Sequence, residues 1–374
     1  MMLENKKVEI LDTTLREGEQ TPGVSFSINQ KIKIAKLLDD TGVDFIELGH
    51  PIVSPDVYAS IDQINQMELR SKKIVHSRLL KKDIQNVLEL DVPWIGLFIG
   101  TSNLCLKNKY QINKPELLDL IERKIKYCKD KGLNVRFTAE DSSRTSIKFL
   151  MEIANLAQQA GADRFSFADT VGILTPKKTK ELITQIKKEL SIPIHIHCHN
   201  DFGLATANAL AAIESGAQCI DTTVNGLGER CGLPPLAEIA TIMTVLKNIK
   251  NNNWNLRFLK KISDYIDEIT DVKNNNLRPI TGDHAFTHKA GLHVKSILKN
   301  PRSYEPVSPK VFNRKRKVIV DKYSGKQNLE YQLDRLGIKL SKSKINDLLL
   351  SIKSKPSITN WTDEKIISTI KNID

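Results

Sequence analysis

Short strand-like runs alternate with amphipathic helical stretches through the first part of the chain, at residues 8–13, 44–48, 73–76, 94–100, 135–138, 164–168, 194–199 and 220–224. Strands that alternate with helices pair in parallel, because a helix supplies the crossover that parallel neighbours need. Eight such units over about 250 residues are the number and length at which a parallel sheet closes on itself, so the expected fold is α/β, a TIM (β/α)8 barrel. An open, doubly wound sheet is the competing arrangement. Closure is favoured by placement, since nearly every residue with useful chemistry falls at or just past the C-terminal end of a strand, where the βα loops of a barrel gather.

Past the eighth unit, the stretches 247–253 (KNIKNNN) and 274–279 (NNNLRP) are turn-rich and bracket a helix. Residues 329–374 read as Lys-rich amphipathic helices. No apolar run approaches the roughly 18 residues that cross a bilayer, and the charged start MMLENKKVEI lacks the apolar core of a signal peptide. Five cysteines, an odd number without a CxxC pair, suit reduced thiols in the cytoplasm rather than a disulfide framework. The net charge of +12 admits an anionic partner, but 6% aromatic residues with no aromatic and basic cluster argue against nucleic acid. The densest basic run, 313–317, reads as solvated surface.

The run His195-Ile196-His197-Cys198-His199-Asn200-Asp201 closes the seventh strand. Side chains alternate along a strand, so His197 and His199 share the inward face and offer two imidazoles to a divalent cation, with His195 deeper on the same stripe. An oxygen ligand is available just after the first strand, where Arg16 and Glu17 stand side by side. A cation next to a fixed guanidinium suits a carbonyl oxygen that becomes negative during reaction. Arg136, Thr138 and Glu140 share one face of the fifth strand, and a forked guanidinium with a hydroxyl suits a dicarboxylic substrate. Thr170, at the end of the sixth strand, offers a further hydroxyl. The glycines of residues 225–230 (NGLGER) let backbone amides approach an anion. Helical spacing would place His284 and His288 one turn apart, a second possible metal pair.

Taken together, the segments LDTTLREGEQTPG, RFTAED, ADTVG, HCHNDFGLATANALAAIESGA, NGLGERCG and DHAFTHKAGLHVKSILKNPRSYEP resemble the DRE-TIM metallolyase superfamily, within it the homocitrate and 2-isopropylmalate synthase branch. The Arg that opens RFTAED and the HKAGLH segment followed by Tyr304 most resemble homocitrate synthases of the archaeal lysine-pathway type. The resemblance implies that Glu17, His197 and His199 bind a divalent cation (Mg, Mn, Co or Zn) and that Arg16 contacts a 2-oxo acid. It further implies that Arg136, Thr138 and Thr170 hold the acid's carboxylates, and that Glu140, His293 and Tyr304 move protons. His293 and Tyr304 would reach a partner's barrel from a swapped segment, so a homodimer is expected. The organisation that follows is a barrel over 1–250, a linker helix and swapped lid over 251–310, and a small helical subdomain over 311–374.

The implied reaction is condensation of acetyl-CoA with 2-oxoglutarate and hydrolysis to homocitrate and CoA, in lysine biosynthesis by the 2-aminoadipate route. The nearest alternative keeps the chemistry with 2-oxoisovalerate or pyruvate as acceptor, giving 2-isopropylmalate or citramalate. A metal-dependent acyl-CoA lyase would share the barrel and its histidines. Two departures stand out. Fungal homocitrate synthases carry a His for the distal carboxylate in the third βα region, where this chain reads His76-Ser77-Arg78-Leu79-Leu80, with Leu80 at that position and His76 or Arg78 as substitutes. The acidic residue that helps those enzymes bind feedback lysine corresponds to Gly96 or Leu97.

Overall fold

The computed structural model describes residues 8–249, 253–272, 275–354 and 361–371. Its strands are β1 (Glu9–Asp12), β2 (Phe45–Glu47), β3 (Lys72–Arg78), β4 (Trp94–Gly100), β5 (Asn134–Glu140), β6 (Arg164–Asp169), β7 (Ile194–Cys198) and β8 (Cys219–Thr222). Each pairs with the next, and β1 pairs in parallel with β8, Leu11 opposite Asp221 and Asp12 opposite Thr222. That last pairing closes the TIM barrel the alternation predicts and excludes the open sheet.

The strands are joined by α1 (Ile28–Thr41), α2 (Pro55–Asn65), α3 (Lys81–Glu89), α4 (Lys114–Asp130), α5 (Ile147–Gln159), α6 (Pro176–Glu189) and α7 (Ala205–Glu214), and α8 (Leu236–Thr241) follows β8. Local sequence sets their starts. Ser27 with Gln30, and Asn113 with Glu116, form reciprocal capping boxes, while Pro55 and Pro176 occupy first turns whose N–H groups have no intrahelical partner. The helix expected between the turn-rich stretches is α9 (Leu259–Ile269), packed against α1. Residues 250–252 of the first turn-rich stretch and Asn274 of the second lie outside the described residues.

The chain divides into two compact units, Met1–Lys273 and Asn274–Asp374. The second contains β9 (Thr287–His288), α10 (Gly291–Lys299), β10 (Lys317–Val318), α11 (Lys326–Leu336), α12 (Lys342–Ser354) and α13 (Asp363–Lys371). Val320, Leu329, Leu333, Ile345, Leu348, Ile352, Trp361 and Ile366 form its core, as the amphipathic pattern requires. His284 and His288 are not one helical turn apart: His284 sits in a turn and His288 in β9, where its Nε2 lies 3.1 Å from Glu305. The basic run is solvated only in part. Lys315 and Lys317 are exposed, but Arg316 forks onto Glu305 at 2.5 and 2.6 Å, and Arg314 donates to the Ile280 carbonyl. Among the described residues no helix is long and apolar enough to cross a membrane.

Inside the barrel, Leu11, Phe45, Ile74, Cys219 and Trp94 form an apolar layer. Two residues further along each strand, the next inward positions lie one layer nearer the C-terminal mouth. On β2 and β8 these positions are Glu47 and Asp221, both buried. The interior therefore changes from apolar to charged within one layer.

Candidate active site

Glu47 is the junction of the charged layer. Its Oε2 accepts from Arg16 Nε at 2.7 Å and from the Thr13 hydroxyl at 2.5 Å, and its Oε1 accepts from Arg136 Nη2 at 2.6 Å. Arg136 divides its fork, reaching Asp221 Oδ2 with Nη1 at 3.4 Å. Gly96 makes room for this guanidinium, because a Cβ there would stand 3.3 Å from Arg136 Nη2. Burial opposes ionisation of both carboxyls, but the groups around them outweigh it: the Arg16 and Arg136 guanidiniums hold Glu47 well below the usual carboxylate range, and Arg136 with the hydrogen bonds of His195 and His197 holds Asp221 down likewise.

Arg16 also donates to Glu17 through Nη1. Burial would raise the Glu17 carboxyl, yet Arg16 and the two histidines keep it at about 2. The other Glu17 oxygen accepts from the backbone N–H of Glu229 at 3.1 Å. The NGLGER loop thus does bring an amide to a carboxylate, that of Glu17. Its turn needs Gly232 (φ +73), where a Cβ would stand 1.8 Å from the Gly226 carbonyl oxygen.

Glu17, His197 and His199 bring ligand atoms within 4.8 Å of one another. The two Nε2 atoms are 3.4 Å apart and His199 Nε2 is 3.9 Å from Glu17 Oε1. Donors bonded at about 2.1 Å to one cation stand roughly 3.0–3.4 Å from each other, so the set fits a divalent ion with little adjustment. Burial together with His197 lowers the pKa of His199 to about 3, which keeps its imidazole neutral with a lone pair available to a cation. A second group, His195, Cys219 and Asp221, also has ligand atoms within 4.8 Å, but His195 Nε2 already accepts from Arg164 Nη1 at 3.1 Å.

Nine barrel residues singled out from the sequence open into one cavity of about 560 Å³: Arg16, Glu17, His76, Arg136, Thr138, Glu140, Thr170, His197 and His199. Arg78 is not among its lining residues and instead forks onto Asp83 at 2.6 and 3.1 Å. Thr138 Oγ1 is buried and unpartnered, whereas Thr170 Oγ1 accepts from the Asp141 N–H at 2.8 Å. Glu140 is paired through both oxygens with Lys109, at 3.0 and 3.1 Å. His76 stacks on Phe98 with centroids 4.2 Å apart, and burial lowers its pKa to about 4. Leu80 is half-exposed at the start of α3 and is not part of the cavity wall, so the imidazole that β3 presents to the cavity is His76. His293 and Tyr304 lie in the second unit, where their rings stack at 4.0 Å and both are exposed.

Sequence reasoning missed Glu47 and Asp221, although both are carboxylates inside short apolar strands. Applying to β2 and β8 the two-residue period used on β5 and β7 marks both as inward.

An HMGL-like family model matches residues 7–266, and a "homocitrate synthase post-HMGL domain-like" model matches residues 280–359. The homocitrate synthase of Sulfurisphaera tokodaii is 45% identical over 372 residues, covering 98% of this chain and 80% of that protein. That of Saccharolobus solfataricus is 44% identical over the same span. Among solved structures, the hydroxymethylglutaryl-CoA lyase of Pseudomonas aeruginosa superposes with a TM-score of 0.66 at 20% identity, covering 75% of this chain and 98% of that one. The HMG-CoA lyase of Brucella melitensis gives 0.63 at 18% identity, covering 71% and 99%. The two lyases speak for the barrel alone. Identity sustained along nearly the whole chain, with both family models in order, shows that the chain belongs to the HMGL-like family and, within it, to the homocitrate synthases.

Proposed function

We propose that this enzyme condenses acetyl-CoA with 2-oxoglutarate and hydrolyses the resulting thioester to homocitrate and CoA, in lysine biosynthesis by the 2-aminoadipate route in the cytoplasm. Glu17, His197 and His199 would hold a divalent cation, for which one oxygen and two imidazoles suit Mg, Mn, Co or Zn. Such a cation, when bound, supplies Lewis acidity to the keto group of the acceptor. Arg16 stands against Glu17 with a guanidinium kept charged by Glu47 and Glu17, ready to stabilise negative charge on the former keto oxygen. Arg136, the free Thr138 hydroxyl, Thr170 and His76 hold the acceptor's carboxylates.

The remaining chemistry is proton transfer. A base takes one proton from the acetyl methyl group so that its carbon attacks the keto carbon, and Glu140 and His293 fill this role with Tyr304 as orienting or protonating partner. His293 and Tyr304 act from a second copy in a homodimer. In support, the exposed apolar side chains Val53, Leu80, Leu104, Ile173 and Phe202 lie on βα loops at the barrel mouth, a rim that a second body would cover.

The observation that carries the proposal is that the Arg16 guanidinium and the three-ligand group open into the same cavity. CoA release with acetyl-CoA and 2-oxoglutarate, 2-oxoisovalerate or pyruvate tests it. The expected result is at least a tenfold higher kcat/KM with 2-oxoglutarate. A preference for 2-oxoisovalerate or pyruvate overturns the assignment of the acceptor.

A further inference from the structure

Arg164, the first residue of β6, lies at the N-terminal end of the barrel interior, paired with Glu9 at 2.6 Å and over the Phe45 ring at 4.6 Å. Its Nη1 is 3.1 Å from His195 Nε2. Guanidinium nitrogens only donate, so His195 Nε2 accepts and the ring proton of this imidazole sits on Nδ1. That Nδ1 faces Asp221 Oδ1 across 3.5 Å. The other Asp221 oxygen takes two contacts, Arg136 Nη1 at 3.4 Å and His197 Nδ1 at 3.1 Å. Asp221 is buried, and Arg136 and His195 both donate to it, so it stands in the interior as a carboxylate and offers His197 Nδ1 only an acceptor.

We infer that Asp221 is a positioning residue for the cation site: it holds the proton of His197 on Nδ1 and so turns the Nε2 lone pair towards His199, with Arg164 and His195 bracing it from below. An imidazole has two nitrogens, and only the one without a proton can ligate; the partner of the other decides which that is. The same carboxylate also ties Arg136 to His197, so the ligand side and the carboxylate-binding side of the cavity share one anchor. Among the described contacts of His197, Nδ1 meets Asp221 and Nε2 meets His199, which leaves the tautomer to Asp221.

The inference rests on the cation-site reading, and the experiment separates the two. Metal-stripped wild type, Asp221→Asn and His197→Ala, each verified as folded by circular dichroism, are titrated with Zn2+ or Mn2+ by calorimetry. His197→Ala is expected to lose binding, and Asp221→Asn to bind about 10- to 100-fold more weakly, the range for loss of a carboxylate behind a ligating histidine. Unchanged affinity in His197→Ala overturns the cation site and the inference with it. Loss of binding in His197→Ala with wild-type affinity in Asp221→Asn overturns the role of Asp221 alone. Should Asp221→Asn fail to fold, 15N-histidine spectra of the stripped wild type decide: a protonated Nδ1 and unprotonated Nε2 on His197 are expected, and the opposite tautomer refutes the inference.

Discussion

The two units treat their functional side chains in opposite ways. In the barrel, Arg16, Arg136, Glu17, Glu47 and Asp221 are packed into one interior layer, and each contact is fixed by a strand or by the loop that follows it. In the second unit the side chains assigned to proton transfer, His293 and Tyr304, are held by little more than each other, stacked and exposed. A buried knot is present there too, Glu305 with His288 and Arg316, but it ties β9 and β10 to the segment just after Tyr304 and leaves the stacked pair free. Electrostatic stabilisation gains from dipoles and charges fixed beforehand, whereas a proton carrier must reach its substrate after binding. The roles proposed above follow the same division, charge stabilisation on the fixed groups of the barrel and proton transfer on the exposed pair of the second unit.

The sharpest way to break that division is Arg16→Ala. Losing the guanidinium should lower kcat/KM about 10³-fold, the scale for removing a preorganised group that meets developing charge. It should also cost the barrel about 3–5 kcal/mol in denaturant unfolding, because Glu47 and Glu17 lose a buried partner. A variant that unfolds earlier but keeps its turnover would make the interior charges purely structural.

Next in size is the proton-transfer half. His293→Ala and Tyr304→Phe should each lower kcat about a hundredfold, the lower end for a general acid or base. Both side chains are exposed, so thermal stability and bound metal should stay at wild-type levels. Wild-type turnover in His293→Ala would place the proton chemistry on Glu140 and its partner Lys109 within the barrel.

The same contrast explains what was legible in the sequence. Barrel topology is written in a repeated period, and the inward histidines and Arg136, Thr138 and Glu140 follow from a parity that local backbone geometry enforces. Glu47 and Asp221 escaped because each is the lone acid in a short strand, with nothing nearby in sequence to mark it; their partners are 31 to 89 residues away along the chain for Glu47 and 24 to 85 for Asp221. The His284 and His288 pairing failed for a different reason. Helical spacing was applied to a segment that a turn and two short paired strands hold in an extended register, Val318 opposite His288. A spacing read over five residues, 284–288, cannot reveal a partner strand some 30 residues downstream.

The smallest effect is the most specific to the barrel. Burial lowers the pKa of His76 and His195 to about 4 and that of His199 to about 3, from an ordinary value of 6.5. Between roughly pH 4.5 and 6 the unfolded chain binds three protons that these folded sites refuse, so they make stability fall as pH falls. Asp12 works the other way: burial raises it to about 7 from 3.8, and the folded state holds one proton more than the unfolded chain in that window. Among these four groups, three against one leaves a net uptake of two protons on unfolding, on the order of 2 kcal/mol of stability lost per pH unit on acidification, and the depressed carboxyls of Glu17, Glu47 and Asp221 add to the loss as pH approaches 4.5. The buried acid of the second unit enters later. Burial would raise Glu305, but Arg316 and His288 hold it below 4.5, so its contribution is lost only as pH drops under that value. Thermal melts of metal-stripped protein at pH 6.5, 5.5 and 4.8 should therefore show the barrel transition moving down while the C-terminal unit holds, followed through Trp94 against Trp361 fluorescence in single-tryptophan variants. A barrel transition that stays level across this range would mean that the three imidazoles are not held neutral in the interior, and the preorganised charge layer would lose its physical basis.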